Sequence, residues 1–176
     1  MIERLSSAYG RLLAGLALVG CALLFAMMLV IEVDVALRNL VVPGLPRGLA
    51  WSNEVSELML YLLTMCVAPW LLRRGQHIRV DIVLRVIPRG IAWYCEWLSD
   101  FCALVCCIVL AVYGWKAVAA SSAIGSMIVK TLAIPEWWAL APLPAAFALL
   151  AIEMLFRMHR LHAGERGPRA DAVTAA

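Results

Sequence analysis

Long apolar stretches separated by short charged segments are the dominant pattern of this sequence. Uncharged apolar runs cover residues 12–31, 58–72, 101–115 and 137–152. A helix rises about 1.5 Å per residue and a hydrocarbon core is about 30 Å thick, so the three shorter runs must extend past flanking acidic residues in order to span it. The pattern therefore predicts four transmembrane helices, at about 12–31, 53–72, 92–115 and 136–156.

The composition agrees with a chain embedded in a membrane. Of 176 residues, 64% are hydrophobic and only 15% are charged, and the mean hydropathy is +0.88. Soluble domains carry about 25% charged residues. We expect an all-α integral membrane protein with one four-helix domain over residues 1–162. The Gly-, Pro- and Ala-containing segment 163–176 has no apolar face and is expected to be a disordered cytoplasmic tail.

The basic residues predict the orientation of the helices. Eleven of the fifteen Lys and Arg residues precede the first helix, lie between the second and third, or follow the fourth. Short loops rich in Lys and Arg remain cytoplasmic. Both termini and the central loop are therefore expected in the cytoplasm. The first run contains Leu18-Val-Gly-Cys21, which is similar to a lipoprotein cleavage site, but the run continues ten residues beyond Cys21, so we expect an uncleaved anchor.

The segment between the second and third helices is amphipathic, unlike the uncharged apolar runs. Asp81, Arg85 and Arg89 recur at i, i+4 and i+8, while Ile82 and Val86 fall on the other side. This spacing predicts a short amphipathic interfacial segment over about 77–89. An extended strand over 77–83 is the alternative, although a solitary strand has no sheet to join.

Few residues suggest catalysis or cofactor binding. The three histidines, His77, His159 and His162, lie in basic segments outside the spans, so no haem is expected. The six cysteines form no pattern typical of a metal site, and buried Cys behaves as a small apolar residue. No nucleophile with a paired base and no phosphate-binding glycine loop is present. We expect no enzyme activity, no metal or other cofactor, and no binding of nucleic acid.

The acidic residues cluster near predicted helix ends. Glu54, Glu57 and Tyr61 share one face of the second helix at i, i+3 and i+7, and Glu96 and Asp100 share a face of the third at i and i+4. Two interpretations remain open for these carboxylates. They are either solvated or Arg-paired charges at the interface, or they contact a partner protein.

A motif on either side of the second helix is the most specific feature. A Trp-x-x-Glu pattern at residues 51–54 precedes the helix, and Arg-Arg-Gly-Gln-His-Ile-Arg-Val-Asp follows it at 73–81. This arrangement resembles the small, four-helix Q-type permease subunit of the tripartite ATP-independent periplasmic (TRAP) transporter family. The resemblance marks these residues as motif or interface candidates: Arg38, Trp51, Glu54, Arg73, Arg74, Gly75, His77, Ile78, Val80 and Asp81.

The second helix departs from the family pattern at two places. Glu57 stands where a neutral or basic residue is expected, and Val67-Ala68-Pro69 replaces a Gly-Ala pair. Pro69 is expected to bend the second helix. Within the motif, His77 is expected to cap backbone carbonyls at the end of the helix, and Asp81 to pair with a nearby arginine.

The resemblance implies a function in secondary transport. The chain would be the scaffold for a large multi-helix permease subunit in a bacterial inner membrane. A periplasmic solute-binding protein would deliver an organic acid anion, and sodium would drive its uptake. Two alternatives remain: a small self-sufficient four-helix exporter, whose intramembrane glutamate the first run lacks, and the small subunit of another tripartite carboxylate transporter.

Overall fold

A computed structural model describes residues 2–40, 47–75, 89–129 and 131–163 of the chain. Its elements, in chain order, are α1 (Ile2–Asn39), α2 (Ser52–Arg73), α3 (Arg89–Ile124), β1 (Met127–Val129), β2 (Ala133–Pro135), α4 (Glu136–Leu140) and α5 (Pro142–Ala163). Four helical segments are long and apolar enough to cross a membrane, the last of them formed by α4 and α5 together. The prediction of a helical membrane protein with four spans is confirmed.

Helices α1 and α3 are much longer than their apolar runs. Helix α1 has 38 residues and α3 has 36, which correspond to about 57 Å and 54 Å. Helix α1 continues to Asn39 because the chain has no proline before Pro43, and α3 continues until Gly125, which adopts φ +68°. Residues beyond both predicted ends of the first and third spans are therefore helical.

Helix α2 matches its predicted range closely. It begins at Ser52, contains a buried Pro69, and ends at Arg73. Gly75 follows in the left-handed region at φ +69°, and its N–H donates to the carbonyl of Leu72 at 3.1 Å. A glycine in this position ends helices frequently, because it has no Cβ to clash there. The glycine of the sequence motif thus has a conformational role.

A small antiparallel hairpin connects the third and fourth spans. Strands β1 and β2 pair Met127 with Pro135 and Ile128 with Ile134. The fourth span is divided at Ala141, because Pro142 has no N–H to continue the hydrogen-bond ladder of α4. Apart from Arg89, which begins α3, and Ala163, which ends α5, the predicted interfacial segment and the predicted tail lie outside the described residues.

The long helices pack in the order α1, α2, α5, α3. Glycine permits two of these close approaches. A Cβ on Gly20 of α1 would lie 2.5 Å from Val67 Cγ2 of α2, and a Cβ on Gly114 of α3 would lie 2.7 Å from Leu143 Cδ2 of α5. Small residues at helix contacts allow such backbones to approach within a membrane.

Candidate interface residues and the polar contacts at the two ends

The spanning helices carry polar contacts at both ends. The terminal end is defined by Ser6 of α1, Arg73 of α2, Asp100 of α3 and Glu153 of α5. The hairpin end contains β1, β2 and the first turn of α2. The most apolar parts of the helices lie between these two regions.

At the hairpin end, Glu54 binds the turn of the hairpin. The backbone N–H groups of Thr131 and Leu132 donate to its two carboxylate oxygens, at 2.7 and 3.0 Å. Both oxygens of one side chain therefore bind consecutive amides of a distant segment. Hydrogen bonds to an ionised acceptor are stronger than neutral ones. Glu54 thus fixes the hairpin against the start of α2.

Glu136 joins the hairpin to the end of α3. Its carboxylate accepts hydrogen bonds from the hydroxyls of Ser126 and Ser121, the latter at 3.2 Å. Its backbone N–H also donates to the carbonyl of Ser126 at 3.1 Å. Both strands of the hairpin are therefore held at their open end by this residue, while Glu54 holds the turn.

Arg38 lies at the end of α1 and pairs within its own helix. Its guanidinium lies 2.9 Å from the carboxylate of Asp34, one helical turn earlier. The other oxygen of Asp34 accepts the N–H of Leu49 at 2.6 Å. Asp34 therefore connects the end of α1 to the segment that leads into α2. Arg38 pairs with the same carboxylate through its other oxygen.

At the terminal end, Arg73 is the central cation. It donates to Glu153 Oε2 of α5 at 3.1 Å and to the Ser6 carbonyl of α1 at 2.7 Å. Its guanidinium also lies 5.9 Å from the ring centre of Tyr9, whose hydroxyl donates to the carbonyl of Leu149 in α5. One arginine side chain thus connects three helices.

Glu153 is completely buried and binds two arginines. Besides Arg73, it accepts a hydrogen bond from Arg160 at 2.6 Å. The third helix joins the same end through Asp100, which pairs with Arg157 of α5 at 3.2 Å. Buried charges are stable only when they are paired and hydrogen-bonded. These ion pairs connect α2, α3 and α5, and the hydrogen bond from Arg73 to the Ser6 carbonyl adds α1.

The other motif residues have different surroundings. Trp51 is exposed immediately before α2, and the exposed Arg74 packs its guanidinium 4.7 Å from the ring centre of Trp70. The remaining candidates, His77, Ile78, Val80 and Asp81, lie outside the described residues. Of the candidates that the structure describes, Arg38 lies at the end of α1, and the others lie at the two ends of α2.

Sequence analysis did not include Glu153 among the site candidates. Its partner on α2, Arg73, is 80 positions away in the sequence, so no local pattern connects the two residues. Its spacing from Arg157 and Arg160, at i+4 and i+7, was the available signal, since such residues share one helix face. Among the described residues, no group of three or more His, Cys, Asp and Glu side chains could hold a metal ion.

Comparison with known families identifies the chain. Residues 27–163 match the family described as tripartite ATP-independent periplasmic transporters, DctQ component. This chain belongs to the DctQ family. The match begins within α1 and ends at the last residue of α5, so it includes the hairpin end and, at the terminal end, Arg73, Asp100 and Glu153 but not Ser6. A search of curated protein sequences gives no match. The resemblance to the small TRAP subunit is confirmed, and this DctQ component is a membrane component of a transporter.

Proposed function

We propose that this DctQ component is the scaffold subunit of a sodium-coupled importer of an organic acid anion. It would bind a large multi-helix permease subunit in the bacterial inner membrane, with both of its termini in the cytoplasm. A periplasmic solute-binding protein would deliver the substrate. The distribution of Lys and Arg supports this orientation, because it places the terminal end of the helices at the basic, cytoplasmic side.

The location of the charges is the observation that carries the scaffold proposal. The central apolar runs of the four spans contain no Asp, Glu, Lys or Arg. Substrate and ion sites of secondary transporters lie near the middle of the bilayer and use polar groups or broken helices there. The one break among the described spans, at Ala141, lies close to the hairpin end.

The charges at the ends stabilise the chain itself. Asp34 pairs with Arg38, Asp100 pairs with Arg157, and Glu153 pairs with Arg73. Groups engaged in these contacts act by holding helices in a fixed arrangement. We infer that Arg38, Glu54 and Arg73 affect the complex by shaping this subunit.

The apolar sides of the helices supply the surface for partners. Large side chains are exposed along α1 and α3, including Leu18 and Phe25 of α1 and Tyr94 and Leu98 of α3. In the most apolar 18-residue stretch of each of α1, α2 and α3, only 11% of the residues are buried. In a membrane, such faces contact either lipid or another helix. The exposed apolar side chains of α1 and α3 are therefore available to both lipid and a permease subunit.

Reconstituted uptake tests the proposal. The large permease subunit, purified with and without this chain, would be placed in liposomes with the binding protein loaded with a radiolabelled organic acid anion. We expect uptake only when both membrane subunits are present and when an inward sodium gradient is applied. Equal uptake by the large subunit alone would contradict the scaffold requirement, and equal uptake under a potassium gradient would contradict sodium coupling.

A further inference from the structure

One face of the hairpin is apolar and exposed. Successive residues of a strand point to opposite sides, so the pairs Met127–Pro135 and Val129–Ala133 share one face, here called the outer face. On it, Met127 is 55% exposed and Val129 is 79% exposed. The two strands contain no charged residue, although strands that are exposed to water usually carry charges that prevent association. The outer face therefore requires a cover that the described part of the chain does not supply.

The opposite face shows how deep the hairpin lies. Ile128 and Ile134 line a cavity together with Leu58 and Tyr61 of α2. Helix α2 has 22 residues, about 33 Å, and a hydrocarbon core is about 30 Å thick, so nearly the whole helix is needed to cross it. Leu58 and Tyr61 lie roughly two turns inside the start of this helix. The strands that pack over them therefore lie where lipid headgroups meet acyl chains.

The outer face continues the lipid-facing surface of two spans. Strand β1 begins three residues after Ile124, the last residue of α3, and β2 is followed immediately by α4. Ile124 is 81% exposed, and Trp137 and Trp138 at the start of α4 are exposed as well. Tryptophan is enriched at the interfaces between membrane and water. The exposed apolar surface of the third and fourth spans thus extends across the hairpin that joins them.

The backbone of the hairpin limits how far it enters the lipid. In the described part of the chain the sheet has only two strands, so each strand has one edge without a ladder partner. Backbone N–H and C=O groups do not remain unpaired in hydrocarbon. In the headgroup region, water and lipid headgroups satisfy these edges. The hairpin thus fits the boundary of the bilayer and does not fit its centre.

We propose that the outer face of the hairpin is a lipid-binding surface inserted at the headgroup boundary of the bilayer. The side chains of Met127, Val129 and Ala133 contact the upper parts of the acyl chains, and the strand edges bind headgroups and water. The hairpin then anchors the ends of α3 and α4 at a fixed depth. A protein that covered the outer face would instead require this face to lie in water in the isolated chain.

Fluorescence quenching in liposomes tests this surface. In the full chain with its six native cysteines replaced by alanine, single cysteines would be introduced and labelled with an environment-sensitive fluorophore. The outer positions are Met127→Cys, Val129→Cys and Ala133→Cys, and Ile128→Cys is the matched control on the opposite face. Ile108→Cys, exposed in the apolar run of α3, is the reference for the bilayer centre. Ala50→Cys, exposed in the segment before α2, is the aqueous reference.

The quenchers would be nitroxides attached to the lipid acyl chain either near the headgroup or near the chain end. We expect the outer labels to be quenched more by the nitroxide near the headgroup, and the Ile108 label more by the one near the chain end. The Ile128 label should be quenched weakly by both. Dithionite, which reacts from water, should bleach the Ala50 label faster than the Val129 label. Outer labels that are bleached as fast as the Ala50 label, without quenching by either lipid, would overturn the proposal.

The same labels distinguish lipid from a protein that covers this face. After assembly with a cysteine-free large permease subunit, quenching of the outer labels by the lipid near the headgroup should persist. Loss of this quenching in the complex would show that the subunit covers the outer face, which would also overturn the proposal. Transport enters none of these measurements, so the lipid surface and the scaffold role fail or succeed separately.

Discussion

The two ends of the spanning helices are held together by different chemistry. At the terminal end, Glu153 and Asp100 bind arginine side chains from α2 and α5. At the hairpin end, Glu54 binds backbone amides and Glu136 binds serine hydroxyls and an adjacent backbone segment. The terminal end thus joins helix to helix by paired charges, and the hairpin end joins a helix to a two-stranded segment.

This difference determines how each end responds to substitution. Removal of one partner from a buried ion pair leaves the other charge buried without compensation, which is strongly destabilising. Removal of a carboxylate that binds backbone amides frees groups that lie close to the water interface, where solvent can replace part of the interaction. We therefore expect global effects at the terminal end and local effects at the hairpin end.

Glu153→Ala is expected to have the largest effect. Arg73 and Arg160 would lose their buried carboxylate, which should lower the free energy of unfolding by about 3–5 kcal/mol. Denaturant unfolding in mild detergent, followed by far-ultraviolet circular dichroism, measures this loss. Glu32→Gln is the control at an exposed position and should change stability by less than about 0.5 kcal/mol. Similar losses in the two variants would contradict the account of the terminal end.

Glu54→Ala should release the hairpin and leave the helices folded. Two hydrogen bonds to an ionised group are lost, so the local opening free energy at Thr131 and Leu132 should fall by about 2–3 kcal/mol. Amide hydrogen exchange measures it residue by residue. Asn53→Ala, at the exposed neighbouring position, should leave these amides protected. Loss of protection throughout α1 and α5 would show that the two ends are not independent.

Gly20→Ala tests the region between the two ends. The new methyl group would lie 2.5 Å from Val67 Cγ2, so α1 and α2 must move apart, at a cost of about 2 kcal/mol. Gly15→Ala is the matched control on the same helix, because its new methyl group would meet no neighbouring atom within 4 Å. Denaturant unfolding of both variants measures the difference. If Gly20→Ala were as stable as Gly15→Ala, this result would contradict the close contact between α1 and α2 at Gly20.

Gly75→Ala should have the smallest effect, about 1 kcal/mol. The cost arises because φ +69° is unfavourable for a residue with a Cβ. Gly75→Asn should recover part of the stability, because Asn tolerates the left-handed region better than Ala does. Thermal unfolding of the two variants compares them directly. A more stable Ala variant would contradict a conformational role for this motif residue.

The sequence predicted the number and type of the spans because apolar runs leave a strong signal. It also predicted the face shared by Glu54, Glu57 and Tyr61, since helical spacing is a local property. The extension of α1 to Asn39 and of α3 to Ile124 was not predicted. Hydropathy marks the part of a helix that lies in lipid, whereas a helix ends where a Pro, a Gly or a cap interrupts it.

The contacts that position the motif residues could not be predicted from the sequence. Glu54 binds amides 77 and 78 positions away, and Arg73 binds Glu153 at a separation of 80 positions. A carboxylate that binds backbone amides requires no particular side chain on its partner, so it leaves no complementary residue in the sequence. The partner of Glu153 on α2 could not be chosen from the sequence either, because several arginines lie near predicted helix ends.

The most direct test of the scaffold proposal is uptake by a complex whose small subunit is locked. After replacement of the six native cysteines by alanine, Gly20→Cys and Val67→Cys would place two thiols at the closest contact of α1 with α2. A disulfide formed there by a mild oxidant prevents relative movement of the two helices. The account predicts equal sodium-driven uptake before and after oxidation. Loss of uptake on oxidation, with recovery on reduction, would show that this subunit moves during transport and would contradict the account.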